Sequence, residues 1–164
     1  MSSLSVPGTA GAGRIVVGVD GSRGSKEALR WAVAQARLTG QPVTAIMSWD
    51  YPVTYGANWD VPDWDEHCAS VLKQSTHEIL AGATDVQVTT RVARGHAAEV
   101  LLDAASDAAL LVIGGRGHGG FRGLLLGSVS QHVVTHSPCP VVVVHGSDGQ
   151  SKPASVPSDA EAEA

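Results

Sequence analysis

The sequence predicts an α/β protein: one open, parallel, five-stranded sheet with helices on both faces. Three observations lead there. The clearest apolar runs are short and β-branched with little alternation, as suits strands covered on both sides. Between them lie segments whose apolar residues recur with the helical period. The two kinds of segment follow one another as β α β α β α β α β, and right-handed crossovers turn that order into a parallel sheet. A chain of 164 residues suits one domain and can bury roughly 70% of the surface its unfolded form exposes.

Each element has its own signal. Residues 15–19 form the first apolar run, and Leu29, Ala32, Val33 and Ala36 then give a helical stripe that Gly40 and Pro42 end. The second strand is 43–47. Asp63 followed by Glu66 has the spacing of a capping box, and Cys68, Val71, Leu72, Ser75 and Ile79 continue the stripe of a helix over about 63–81. In 86–92, Val86, Val88, Thr90 and Val92 alternate with Gln87, Thr89 and Arg91, the pattern of a half-exposed strand at a sheet edge. Ala97, Val100, Leu101 and Ala104 make the third stripe, and 110–113 the fourth strand. A last helix over about 127–136 stops before Pro138, and 141–144 close the sheet. The segments 1–13 and 147–164 are rich in Gly, Ser, Pro, Ala and Glu and lack periodicity, so both are expected to be disordered tails around a domain at 14–146.

Composition limits the partners. With 16 acidic against 11 basic residues the chain has no general electrostatic footprint for nucleic acid or an anionic membrane, which leaves a small molecule and another protein. The first residues lack a basic and an apolar signal region, and no apolar run is long enough to span a bilayer, so a cytoplasmic location is expected. Cys68 and Cys139 follow no metal-ligand spacing and read as buried thiols in a reducing compartment.

The segment VIGGRGHGGFRGLLLGSVS, residues 112–130, is the most informative. It leaves a buried strand, passes six glycines and two arginines, and enters a helix at Gly127 and Ser128. Glycines let successive N–H groups converge on an anion, and the helix start adds free N–H groups and a positive dipole end. Ser128 and Ser130 can add hydroxyl donors, and Arg116 or Arg122 a guanidinium. The alternative is a surface loop whose glycines mark only turns. A P-loop lysine motif is absent; Gly115, Gly117 and Gly120 satisfy G-x-G-x-x-G, but the acid that a dinucleotide fingerprint needs on the next strand is missing.

Another spacing fits better. Gly114, Gly117, Gly127 and Ser128 resemble G-x2-G-x9-G-[ST], the ATP-binding signature of the universal stress protein family. RIVVGVDGS (14–22), VARGHAAEVLLDAA (92–105) and SPCPVVVVH (137–145) are similar to other motifs of that family, in the same order. The resemblance implies a Rossmann-like fold of the adenine nucleotide alpha hydrolase kind with strand order 3-2-1-4-5. It also implies that Gly114, Gly117, Gly127, Ser128 and Ser130 contact ribose and phosphates, with Ile113, His118 and Val129 in the same segment. Asp20 would sit by the ribose or a phosphate-bound Mg2+, Gly18 and Val19 beside it, and Ser48 would offer its backbone to adenine. A homodimer through Val141, Val142, Val143 and Val144 is implied as well, since an apolar edge strand needs covering.

Chemistry adds its own argument for Asp20. A carboxylate at the mouth of a phosphate nest is repelled by the ligand unless a divalent cation lies between them, and magnesium commonly takes one carboxylate plus phosphate oxygens. The plainer role, capping the helix near Ser22, is compatible with it. His132 and His136 have an i, i+4 spacing that metal ligands also use, but no HExxH pattern accompanies them and the helix dipole accounts for histidines there. Trp49, Trp59 and Trp64 flank a loop over 50–62 that is either packing or a cover for the base.

The function expected is an ATP-binding regulatory module in stress response and growth control, acting through an unidentified protein partner. No catalytic triad or second carboxylate is readable, so a dedicated enzyme is not expected. The alternatives are a slow ATPase using Asp20, Arg116 or His118, a binder of AMP or cyclic AMP, and a ligand-free scaffold.

Overall fold

The computed structural model describes residues 13–50, 63–118 and 125–146. The strands β1 (Arg14–Gly18), β2 (Val43–Trp49), β3 (Val88–Arg94), β4 (Ala108–Gly114) and β5 (Val141–Val144) form one sheet, all parallel, in the order β3-β2-β1-β4-β5. This is the predicted architecture and strand order. The helices between them are α1 (Arg23–Thr39), α2 (Trp64–Leu80), α3 (Ala97–Ala105) and α4 (Ser128–His136).

Alternation along β1 divides the core in two. Ile15 and Val17 face α1 and α2, where they pack with Leu29, Ala32, Val33 and Leu72; Val16 faces α3 and α4 with Ile46, Leu101, Leu111 and Val133. All three β1 side chains are fully buried, as the unalternating apolar run requires.

Local signals fix the helix ends. The Ser22 hydroxyl oxygen accepts from the Ser25 N–H at 3.2 Å, and Gly40 leaves α1 at φ 71° with its N–H on the Ala36 carbonyl. Asp63 accepts from the Glu66 N–H at 3.2 Å, one half of the expected capping box. α2 instead ends on Ala81, a non-glycine residue at φ 48°.

Two expectations shift. The strand placed at 86–92 lies two residues later, because the ladder with β2 runs from Val43↔Val88 to Trp49↔Arg94; Val86 precedes the strand and is buried in the core on the α1 and α2 face. Its edge position holds, with Thr89, Thr90 and Arg91 exposed. Cys68 is buried, and burial pushes its thiol up. Cys139 is only half-buried, since it lies just before β5, the edge strand, whose residues are themselves half-buried.

Backbone meets backbone beside β4. A Cβ on Gly114 would lie 2.8 Å from the Gly24 carbonyl carbon, and one on Gly24 would lie 2.8 Å from the Arg116 oxygen. Glycine at both positions lets the start of α1 rest directly on the end of β4. The expected tails, apart from residue 13, and the loop at 51–62 lie outside the described residues, and among those described no helix is long and apolar enough to cross a membrane.

Candidate functional site

The neighbours β1 and β4 sit where the strand order reverses. From β1 the chain crosses to α1 on one face; from β4 it crosses to α4 on the other. The two crossovers leave a crevice at the carboxyl ends of the strands, the usual ligand position in open parallel sheets. A cavity of about 390 Å³ opens there.

Every residue expected at the site lines this cavity. Gly18, Val19 and Asp20 come from the end of β1 and Ser48 from β2; Ile113, Gly114, Gly117 and His118 leave β4; Gly127, Ser128, Val129 and Ser130 open α4. Arg116 lines it too, while Arg122 lies outside the described residues. The sequence reading missed Ser25 and an apolar wall of Ile46, Ala97, Val100 and Leu101. Periodicity had placed Leu101 on a sheet-facing stripe. That is correct, since it is buried against the sheet, and the same side chain also borders the cavity.

The start of α4 is built to present donors. Its N-cap is Gly127, which has no side chain to accept from the first turn, and the first helical bond is from Gln131 N–H to the Gly127 carbonyl. The N–H groups of Ser128, Val129 and Ser130 therefore have no partner within the helix, and together they make the positive end of its dipole. Gly127 itself donates to the Gly115 carbonyl at 2.8 Å, which holds the helix start against the loop leaving β4. Ser130 corrects one expectation: its hydroxyl donates to the Gly114 carbonyl at 2.8 Å, so its proton serves the loop, whereas Ser128 is exposed.

Asp20 stands opposite. One carboxylate oxygen accepts from the Ser22 N–H at 2.9 Å and the other from the His118 N–H at 3.4 Å. Burial pushes its carboxyl up, but hydrogen bonding by Ser22 and Ser25 and the charge of His118 outweigh this and hold it below the usual carboxylate value. It is an anion at neutral pH. The His118 ring lies with Nε2 3.0 Å from the Asp20 carbonyl oxygen; a carbonyl can only accept, so Nε2 carries the hydrogen. Gly117 is confined by the same carboxylate, because a Cβ there would lie 2.5 Å from Oδ2. Among the described residues no three His, Cys, Asp or Glu side chains gather as a metal cage, so a cation beside Asp20 would need oxygens from the ligand.

The remaining aromatic and histidine expectations fall elsewhere. The Trp49 indole N–H donates to Asp65 at 2.5 Å and the Arg94 guanidinium lies over its ring at 5.7 Å, a packing role at the ends of β2 and β3. Trp59 is outside the described residues. His132 and His136 stack on α4 and do not line the cavity.

The model of the universal stress protein family matches residues 11–145. A universal stress protein of Mycolicibacterium smegmatis is 31% identical over 142 residues, covering 82% of this chain and 48% of its own length. One from Mycobacterium tuberculosis is also 31% identical over 142 residues, with the same coverage. The chain thus spans about half the length of the curated relatives it matches. Among solved structures, a universal stress protein in complex with cAMP is 27% identical with a TM-score of 0.63, over 83% of this chain and 99% of that one. The universal stress protein UspA from Lactobacillus plantarum, at 23% identity and a TM-score of 0.61 over 82% of this chain and 99% of its own, shares the fold.

Proposed function

This chain belongs to the universal stress protein family, and from that premise we propose that it is an adenine-nucleotide-binding regulatory module with ATP as its ligand. The observation that carries the reading is the uncapped start of α4 facing, across one cavity, the Asp20 carboxylate. Phosphate fits the first of these as an anion; the second repels phosphate unless a cation intervenes.

The residues suit the group. The N–H groups of Ser128, Val129 and Ser130 would hold a phosphate, and the Gly114 and Gly117 backbone would line its approach. Asp20 would share a Mg2+ ion with the phosphate oxygens; bound there, the ion would screen the carboxylate from the phosphate. Ile46, Val100, Leu101 and Ile113 give the cavity the apolar lining that a base needs, and Ser48 lines it with them. Regulation follows if nucleotide-bound and free forms differ in affinity for a protein partner. The proposal extends to a stress and growth-control role, to a cytoplasmic protein whose folded unit is 14–146, and to a homodimer joined along β5; a monomeric mass in light scattering at micromolar concentration would remove the last point.

AMP or cyclic AMP is the second reading. A single helix start needs only one phosphate, and the relative solved with cAMP is 27% identical. The test is to denature the purified protein, identify released nucleotide by mass spectrometry, and titrate ATP, ADP, AMP and cyclic AMP with and without Mg2+. The control variant is Ser128→Asp. A carboxylate in the first turn of a helix stabilises it by about 0.3–1 kcal/mol but repels phosphate, so binding should fall at least about tenfold while the fold is kept. ATP affinity that rises with Mg2+ and collapses in the variant supports the proposal; equal affinity for AMP or cyclic AMP selects the second reading; variant-independent binding sinks both.

A further inference from the structure

We propose that His132 and His136 form a surface site for a borderline divalent transition metal, Cu2+ above all, at the end of α4 remote from the phosphate site. The two residues lie one turn apart on the same face. Both are exposed, and their rings stack with centroids 4.3 Å apart and planes at 25°. In the stack the two ring planes are nearly parallel and their lone pairs do not converge. Because both side chains are exposed, a rotamer change that swings His132 out of the stack brings both imidazoles onto one ion without disturbing the core.

The hydrogen bonding prepares one ligand atom. His136 Nδ1 lies 2.9 Å from the His132 carbonyl oxygen, and since that oxygen can only accept, Nδ1 carries the hydrogen. Nε2 of His136 then keeps its lone pair. A ring N–H held by a backbone carbonyl is the outer-shell arrangement that orients ligating histidines and raises their basicity. The position also suits a cation: His136 is the last residue of α4, where the dipole is negative.

Ligand type separates this site from Asp20. Imidazole nitrogen suits Cu2+, Ni2+ and Zn2+, with Cu2+ bound most tightly, whereas Mg2+ prefers oxygen. Among the described residues no third His, Cys, Asp or Glu joins the pair, so water completes the shell and the ion exchanges. This is a site for a labile metal, not a structural one.

The experiment uses the full chain without an affinity tag, titrated with Cu2+ and followed by calorimetry and electron paramagnetic resonance. Wild type should bind one ion per chain in a shell containing two imidazole nitrogens. His132→Asn or His136→Asn should each weaken that ion at least about tenfold by removing chelation, and the double variant gives the background from the other histidines. Both positions are exposed, so thermal midpoints without metal should match wild type. Single variants that bind Cu2+ as tightly as wild type, or an unchanged resonance spectrum, would overturn the proposal.

Discussion

At the residue scale, Gly117 and Asp20 are one problem. The glycine spacing reads as a phosphate nest, yet a Cβ at Gly117 meets the Asp20 carboxylate before any ligand arrives. Gly117→Ala therefore moves the carboxylate as well as the loop, which makes Ser128→Asp the cleaner probe of the nest. Asp20→Asn isolates the cation: it keeps the acceptor for Ser22 N–H and removes the charge. In calorimetric titration the Mg2+-dependent gain in ATP affinity should disappear, while Mg2+-free affinity holds or rises because a repulsion is gone. The lining of the cavity was legible where spacing encodes it, at Gly114, Gly117, Gly127 and Ser128, and at Asp20. Ala97 and Val100 were not, because their apolar character serves the helix stripe and the cavity wall alike, and periodicity reports only the first. Ser130 shows a different blindness, since a hydroxyl in a motif does not disclose which oxygen it will meet.

At the element scale, caps and close contacts decide stability. Ala81 closes α2 in the left-handed region, where an L side chain is strained by about 1 kcal/mol or more. Ala81→Gly removes the strain but adds unfolded-state entropy, so a net gain of about 0.5 kcal/mol is expected in urea denaturation. Gly24→Ala should act the other way. Its Cβ would press on the Arg116 carbonyl oxygen, a backbone atom without a rotamer to yield, and a loss of about 1–3 kcal/mol is expected. A variant as stable as wild type would show that α1 can move off β4. Helix periods and stops were readable because Leu29, Ala32, Val33 and Ala36 pack where the stripe says. β3 was misplaced by two residues because its register comes from pairing with β2, a partner that local alternation does not see.

At the scale of the whole molecule, exposed ion pairs tie α1 to its neighbours on one face, to α2 and to the segment that leads into β3. Arg37 bonds Asp85, and Lys26 bonds Glu78. The hydrogen bond from Arg37, with its charge, lowers the Asp85 carboxyl; those from Lys26 and Gln74 lower Glu78. Depressed folded-state values mean that this stabilisation is complete above the unfolded value, near pH 4, and is lost as pH falls through the folded one. Thermal midpoints at low salt should hold from pH 7 to about 5 and decline below about 4. Arg37→Gln should shrink that decline slightly, and high salt should erase the difference, since both pairs are exposed. The alternation of strands and helices was enough for a parallel sheet, but it allows several strand orders; the order came from the motif resemblance. That order has a consequence for synthesis. β1 is the central strand, and its partner β4 is translated about 95 residues later, roughly 5–20 s at ribosomal rates. β2 can pair with one edge of β1 early, while the other edge waits with the backbone N–H and C=O groups of residues 15–17 unpaired, between two apolar faces. Slowing translation between β2 and β4 should therefore raise the fraction of nascent chains that aggregate or recruit a chaperone.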